Sequence, residues 1–296
     1  MSLLNEYSKP FVVAEIGACH LGSFERAKKL CLLAKEAGCD YVKLQKRNPK
    51  ESTPIHMQDE PHPNQYFAYG ETYLKHRENL ELDALTHHKI SRYCSDIGIG
   101  YSCSVWDLTS AKNIIEINPD FIKIPSAHNH NWNMLNYIKD NYKGDIHVST
   151  GMTTKKEREE LIQWCMDLQD RIVFYHSTSS YPCPFEDLYL LEIQALKNIF
   201  KDTKIRVGFS NHGKGIAADI AAYMLGAQWI ERHFIDDRTT RHTDAAASLE
   251  PGGMQKLVRD LEAISSALTH RPESDMSEEE SKQRYKMRFN GENYGD

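Results

Sequence analysis

The sequence offers no framework of paired cysteines. Its seven cysteines (Cys19, Cys31, Cys39, Cys94, Cys103, Cys165 and Cys183) are odd in number, scattered, and form no CxxC pair. That spacing argues against a disulfide scaffold and a structural zinc site, and it suits reduced thiols in a cytoplasm. Long apolar runs are missing too: no stretch approaches a membrane span, and the opening MSLLNEYSKP is too polar for a signal peptide. A cytoplasmic protein with no membrane partner is expected. Nor is there an excess of positive charge. Lys+Arg number 36 against Asp+Glu 42, a formal charge of -6, so no surface for nucleic acid is advertised. A local cluster of Lys and Arg in a pocket remains compatible with a small anion. Finally, no GxGxxG turn follows the first apolar run, which ranks a dinucleotide-binding open sheet second.

What the chain does have is a strand–helix rhythm. Phe11–Gly17 reads as a buried strand, and Ser23 as the cap of a helix burying Ala27, Leu30, Ala34 and Ala37 before Gly38 ends it. Tyr41–Gln45 is the next strand, unusual in carrying Lys43 and Gln45 among apolar neighbours. From Lys46 to Leu80 the periodicity gives way to Pro, His, Gln and Asn, a long excursion expected to serve as a lid or binding loop. Further strands are expected at Gly100–Val105, Phe121–Ser126, Ile146–Gly151 and Ile172–Thr178. Helices are expected near Leu82–Ile97, Asp107–Ile115 and Trp132–Asp140, from Thr154 with Glu157 in capping-box position, and near Leu188–Phe200 and Gly253–Leu268.

The segment Val207–Asp244 anchors the reading. An apolar run stops at Ser210, Asn211 and His212; a helical pattern spans Gly213–Gly226; a second run leads into Glu231, Arg232 and His233. Eight such alternations over about 250 residues are what an α/β fold of the closed (β/α)8 TIM-barrel type requires, as a single domain over residues 1–269. Residues 270–296 are polar and unpatterned, expected as an exposed helix or a partly disordered arm.

In such a barrel the chemistry gathers at the C-terminal ends of the strands. Those ends carry Glu15, Lys43, Gln45, Ser102, Lys123, Ser126, Ser149, His176, Ser177, Ser179, Ser210, Asn211, His212, Glu231 and His233, with Asp244 just beyond. Each has a plain alternative. A strand lysine can pair with a buried carboxylate, a serine can cap the following helix, and His176 reads as a hydrogen-bonded core histidine. Two lysines at equivalent positions favour an anion site, since burying both requires an anionic ligand or carboxylates. His212 and His233 either share a core network or bind a metal. Glu15, Glu231 and Asp244 nearby favour a divalent ion, with Mn2+, Mg2+, Co2+ and Zn2+ all open.

The ordered series AEIGACHLGS, YVKLQ, FIKIPSAHN, HVSTGM, HSTSSYPCP, GFSNHG and ERHF…RHTDAAAS closely resembles the sialic acid (N-acetylneuraminate) synthase family, over about residues 11–268. The resemblance implies a TIM barrel that condenses phosphoenolpyruvate with N-acetylmannosamine or a related aldose, giving a 2-keto-3-deoxy nonulosonic acid and phosphate, with a divalent metal, commonly Mn2+ or Mg2+. It implies that Lys43 and the end of the third strand around Ser102 and Cys103 hold the carboxylate. Lys123, Ser126, Ser149 and Ser210 would hold the phosphate, with Tyr181 lining the pocket. His212 and His233 would bind the metal, and Glu15, Gln45 and Asp244 would face the sugar or a catalytic water. A homodimer is the family expectation.

Three departures from the family pattern stand out. The small antifreeze-like domain that the family usually carries after the barrel would begin where the given sequence stops, at Asp296, which is expected either of a chain cut there or of a barrel-only member. Ser179 stands where the family usually has Asn, and Cys103-Ser104 where it has Thr-Pro. His128 replaces a family Glu facing the sugar. An acceptor other than N-acetylmannosamine is therefore compatible, of a pseudaminic, legionaminic or deaminated type; a barrel that binds a sugar or phosphate without turnover is the alternative of another class.

Overall fold

The computed structural model describes residues 8–271 and 276–288. Eight parallel strands close into a barrel in sequence order: β1 Phe11–Gly17, β2 Tyr41–Lys46, β3 Gly100–Val105, β4 Phe121–Ile124, β5 Asp145–Ser149, β6 Ile172–Ser177, β7 Arg206–Asn211 and β8 Trp229–His233. The expected (β/α)8 architecture is thus the observed one. Helices Phe24–Glu36, Ala84–Ile97, Leu108–Ile117, Trp132–Asn141, Lys155–Met166, Leu191–Ile199, Ala217–Met224 and Pro251–Ala267 surround it.

The strand pleat explains the odd composition of the strands. Successive side chains point to opposite faces, so Val42 and Leu44 go outward into the layer under the helices while Lys43 and Gln45 go inward. The outward set (Val12, Ala14, Ile16, Ile122, Ile124, Ile146, Val148, Phe174, Phe209 and Ile230 among them) forms one continuous apolar core with the helices. The inward set sorts by depth. A second cluster of Val13, Phe121, Val173, Tyr175 and Trp229, with Tyr41 against it, fills the lower barrel. His147 stacks on Phe121 at 3.7 Å and meets the Tyr175 hydroxyl at 3.0 Å. Above this floor every inward position is polar.

Local signals set the helix starts. Asp83, Asp107 and Thr154 each accept from a backbone N–H in the first turn, and Thr154 with Glu157 completes the capping box. The helix after β7 is shorter than its apolar pattern. The Gly213 N–H donates to Asn211, and the Gly213 and Gly215 carbonyls accept from Arg232, which leaves that stretch as a turn. The 46–80 excursion folds into short pieces, Pro49–Ser52, Ile55–Gln58 and Gln65–Phe67, ending in the helix Tyr73–Leu80. In the tail, Glu278–Met287 is a helix that buries no side chain; the rest of the tail beyond Arg288 lies outside the described residues. No helix among the described residues is long and apolar enough to cross a membrane.

One close approach tests the packing. A Cβ on Gly208 would lie 2.7 Å from Tyr175 Cε1 and 2.8 Å from Cδ1. Both ring atoms belong to a buried side chain with no room to yield. Gly208→Ala is expected to lower the unfolding free energy by about 1–3 kcal/mol, read as a shifted denaturation midpoint.

Candidate active site

One cavity opens at the C-terminal end of the barrel. Its volume is about 220 Å³. Its floor is a cluster of four buried charges. Lys43 pairs with Glu15 and lies 3.7 Å from Glu231; Lys123 pairs with Glu231 at 3.0 Å. Strand register makes the cluster: Glu15 sits beside Lys43 across β1–β2, and Ser210 beside Glu231 across β7–β8. Hydroxyl and amide groups complete the shell, with Lys43 donating to Ser104 at 2.7 Å, Gln45 to Glu15 at 2.6 Å and Ser210 to Glu231 at 3.1 Å. Lys123 also lies over the Tyr175 ring, 3.3 Å from its centroid.

These partners decide the protonation states. Burial alone would raise the Glu231 carboxyl, but Lys123 and Lys43 more than offset it and hold it at about 2. For Lys123 burial wins over the attraction of Glu231, and Lys43 adds repulsion, so its ammonium is pulled down to about 8. Burial opposes the charged form of Lys43 too, yet Glu15 and Glu231 leave it raised above the usual lysine range.

Next to this cluster lie the imidazoles. The His212 and His233 rings are 5.4 Å apart, and Tyr181 packs on His212 at 4.2 Å. His212 Nδ1 meets the Thr178 carbonyl at 2.7 Å; that oxygen can only accept, so Nδ1 carries the proton and Nε2 keeps its lone pair. Burial and the neighbouring His233 hold His212 down at about 3, a neutral ring. His233 Nδ1 is buried with no hydrogen-bond partner, and the Asp244 carboxylate stands 3.6 Å from it. An orphaned buried nitrogen, a freed imidazole lone pair and a carboxylate are a donor set that fits a divalent metal ion. His242 and Cys19 extend the set, since Cys19, His242 and Asp244 present ligand atoms all within 4.8 Å of one another.

The structure brings Glu15, Lys43, Gln45, Lys123, Ser126, Ser149, Tyr181, Ser210, His212, His233 and Asp244 to this one cavity. Three expected residues fall elsewhere. Ser102 points inward in register with Lys43, but two residues deeper than Ser104; it is fully buried, and Ser104 takes the place at the cavity. Cys103 faces outward into the helix layer. Ser179 lines an outer groove behind Gly151 instead. A Cβ on Gly151 would fall 2.3 Å from the Ser179 Oγ and 2.6 Å from the Ser126 Oγ, so this glycine admits both hydroxyls. His176 is the expected core histidine, bonded to the Leu188 carbonyl at 2.7 Å.

Residues that the sequence reading passed over also line the cavity: Arg47, Arg77, Ser104, Trp106 and His242. Only Lys46-Arg47, a basic pair at a strand end, was visible as a signal. Arg77 reaches the site from within the excursion.

A (β/α)8 barrel with buried paired lysines beside neutral imidazoles and a carboxylate is a cavity equipped for polar, charged ligands at the usual active-site end of this fold. The NeuB family model matches residues 30–273. The chain is 33% identical over 259 residues to human N-acetylneuraminate-9-phosphate synthase, covering 87% of this chain and 71% of that one. It is 34% identical over 263 residues to the N,N'-diacetyllegionaminic acid synthase of Campylobacter jejuni, covering 88% and 78%. The crystal structure of the N-acetylneuraminic acid synthetase of Leptospira borgpetersenii in complex with citrate shares the fold, with a TM-score of 0.78 at 24% identity over 97% of this chain and 95% of that one. The chain belongs to the NeuB family and is an enzyme of the sialic-acid-synthase type.

Removing one member of the charge cluster should be costly. Glu231→Ala leaves Lys123 without its carboxylate, and an expected loss of about 3–5 kcal/mol in unfolding free energy is checked by chemical denaturation.

Proposed function

We infer that the protein condenses phosphoenolpyruvate with an aldose of the N-acetylmannosamine type, releasing phosphate and a 2-keto-3-deoxy nonulosonic acid. The observation that carries this reading is the meeting, in one cavity, of two lysines held by exchangeable carboxylates with a hydroxyl cluster and a pair of neutral imidazoles beside Asp244. The relatives' names, which include sialic, legionaminic and pseudaminic acid synthases, support the product class and differ in the acceptor.

Lys43 and Lys123 are assigned to the carboxylate and the phosphate of phosphoenolpyruvate. Ser104 stands beside the first, and Ser126, Ser149 and Ser210 beside the second. An incoming anion competes with Glu15 for Lys43 and with Glu231 for Lys123, so the buried charges are never left unpaired. His212 and His233 would hold a divalent ion, Mn2+ or Mg2+, which would supply Lewis acidity to the aldehyde oxygen. C3 of the enol attacks the aldehyde carbon, forming the new C–C bond, and water adds at C2. Glu15, released from Lys43 and still fixed by Gln45, accepts the proton of that water. The C2–O bond to phosphate then breaks as the C2 hydroxyl gives its proton to the departing phosphate, which leaves the 2-keto group, and the proton held by Glu15 passes to the former aldehyde oxygen. The lysines neutralise both anionic groups throughout.

Phosphate release from phosphoenolpyruvate, with a divalent metal and a panel of aldoses, tests the reaction. Chelation or His212→Ala should abolish release while the circular dichroism spectrum stays native; full activity without metal would place the chemistry elsewhere. A pH dependence follows from Lys123. Its ammonium binds phosphate only when protonated, so the KM for phosphoenolpyruvate should rise as pH climbs above about 8. Lys123→Met should raise that KM by about 10–100-fold and flatten its alkaline limb.

A further inference from the structure

Arg232, 1% exposed, is a buried cation that the reaction above does not use. Its neighbours in β8, Glu231 and His233, line the cavity, so the strand pleat turns Arg232 outward, to the face where Ile230 and then Phe234 join the apolar layer. There it pairs at 2.7 Å with Asp219, in the first turn of the helix Ala217–Met224, and both side chains are out of water. A buried ion pair of this kind is often no more stable than apolar side chains of the same volume. What it supplies instead is a fixed arrangement of the groups it touches.

Those groups belong to the segments that carry the two imidazoles and Asp244. One guanidinium nitrogen donates to the Gly215 carbonyl at 2.6 Å and to Asp219; the other donates to the Gly213 carbonyl at 2.8 Å and to the Ala247 carbonyl at 3.4 Å. Asp219 in turn accepts from the Asn211 side-chain amide at 2.8 Å, and the Asn211 oxygen accepts from the Gly213 N–H at 2.7 Å. The residues on both sides of His212 are thereby tied to the residue before His233. At the third segment, the Ala247 N–H donates to the Asp244 carbonyl at 3.1 Å. Arg232, Asp219 and Asn211 do not line the cavity, so the fork holds its wall from behind. The β7–β8 ladder ends at the Asn211–Arg232 pair, one residue short of both histidines. Beyond that point Cys183 donates to the His212 carbonyl at 3.0 Å from the β6 side, and Leu249 to the His233 carbonyl at 2.8 Å. The guanidinium fork joins the His212 turn to the other two segments.

We propose that Arg232, held by Asp219, is the positioning residue that sets the spacing of His212, His233 and Asp244, and with it the affinity of the site for a divalent ion. This rests on the assignment of His212 and His233 to that ion in the reading above. Metal–ligand distances are met within about 0.2 Å, and here the donors come from three separate segments. A planar guanidinium presents its donors in a fixed fork, which suits it to hold several carbonyls in one arrangement.

The test measures Mn2+ binding directly, by calorimetry and by the electron paramagnetic resonance of the free ion, in the wild type and in Arg232→Met, Arg232→Lys and Asp219→Asn. Circular dichroism and the denaturation midpoint establish which variants are folded; Asp219→Asn, nearly unchanged in shape, carries the test if Arg232→Met does not fold. The Mn2+ Kd should rise about 10–100-fold, the usual effect of removing a group that orients metal ligands. Phosphoenolpyruvate binding measured without metal should stay at the wild-type value. Arg232→Lys keeps the charge opposite Asp219 but offers its donors from one nitrogen, so it should weaken Mn2+ almost as much as Arg232→Met. Full recovery in Arg232→Lys, unchanged Mn2+ affinity in a folded Arg232→Met or Asp219→Asn, or equal losses of Mn2+ and phosphoenolpyruvate binding would each overturn the proposal. A wild type that binds no Mn2+, or a His212→Ala variant that binds it normally, removes the metal assignment and this inference with it. Wild-type binding that every Arg232 and Asp219 variant keeps leaves the metal assignment standing and removes the positioning role alone.

Discussion

The barrel interior is organised by the mutual neutralisation of Glu15, Lys43, Lys123 and Glu231. Each of these ions costs several kcal/mol to bring out of water, and only the close pairing returns that cost. The cluster dictates what surrounds it. Hydroxyls of Ser104 and Ser210 and the amide of Gln45 take the remaining donor and acceptor positions, and the Tyr175 ring covers Lys123 from below. The aromatic floor of Phe121, Trp229 and His147 closes the lower barrel to other polar partners. Partner exchange then becomes the economical way to bind an anion here. A ligand that takes over an ammonium from a carboxylate replaces one buried pair with another, and the displaced carboxylate becomes a stronger base.

Much of this was legible in the chain. Strands that carry Lys or Gln at alternate positions, such as Tyr41–Gln45 and Phe121–Ile124, announce an interior that is not purely apolar. The eightfold rhythm closes that interior into a ring. The partner of each lysine was not legible, because Glu231 reaches Lys123 across 108 residues of sequence and only closure of β8 on β1 sets the distance. Depth was not legible either. Ser102 and Ser104 both point inward, and the stagger of the strands alone decides that Ser104 meets Lys43 while Ser102 stays below. Arg77 illustrates a third limit: it sits in a segment whose irregular composition specifies no path, so nothing local places it over the barrel mouth.

The cavity divides into regions with different electrostatic tasks. Hydroxyls from β5, β6 and β7 gather on one side. The imidazoles and Asp244 hold the β8 side, where His212 is fixed in one tautomer by Thr178. Lys43, Gln45 and Arg47 come from the β2 side, and Arg77 joins them from the helix Tyr73–Leu80. Among the lining residues Lys43, Lys123, Arg47 and Arg77 outnumber Glu15, Glu231 and Asp244, so the cavity is cationic in a chain whose formal charge is -6. Such local reversal against the global sign focuses anionic ligands into the cleft.

Ser179 and His128 fall on different sides of this division. Ser179 lies behind Gly151 beside Ser126, on the hydroxyl side, where it adds a small polar group without charge. His128 lies on the arginine side, edge-on to the Trp106 ring that carries Arg47. A carboxylate in its place would give Arg47 a permanent ion-pair partner. A neutral imidazole leaves the guanidinium oriented by its stacking on Trp106 and its bond to Gln45, with Glu81 and Asp244 as the nearest opposite charges.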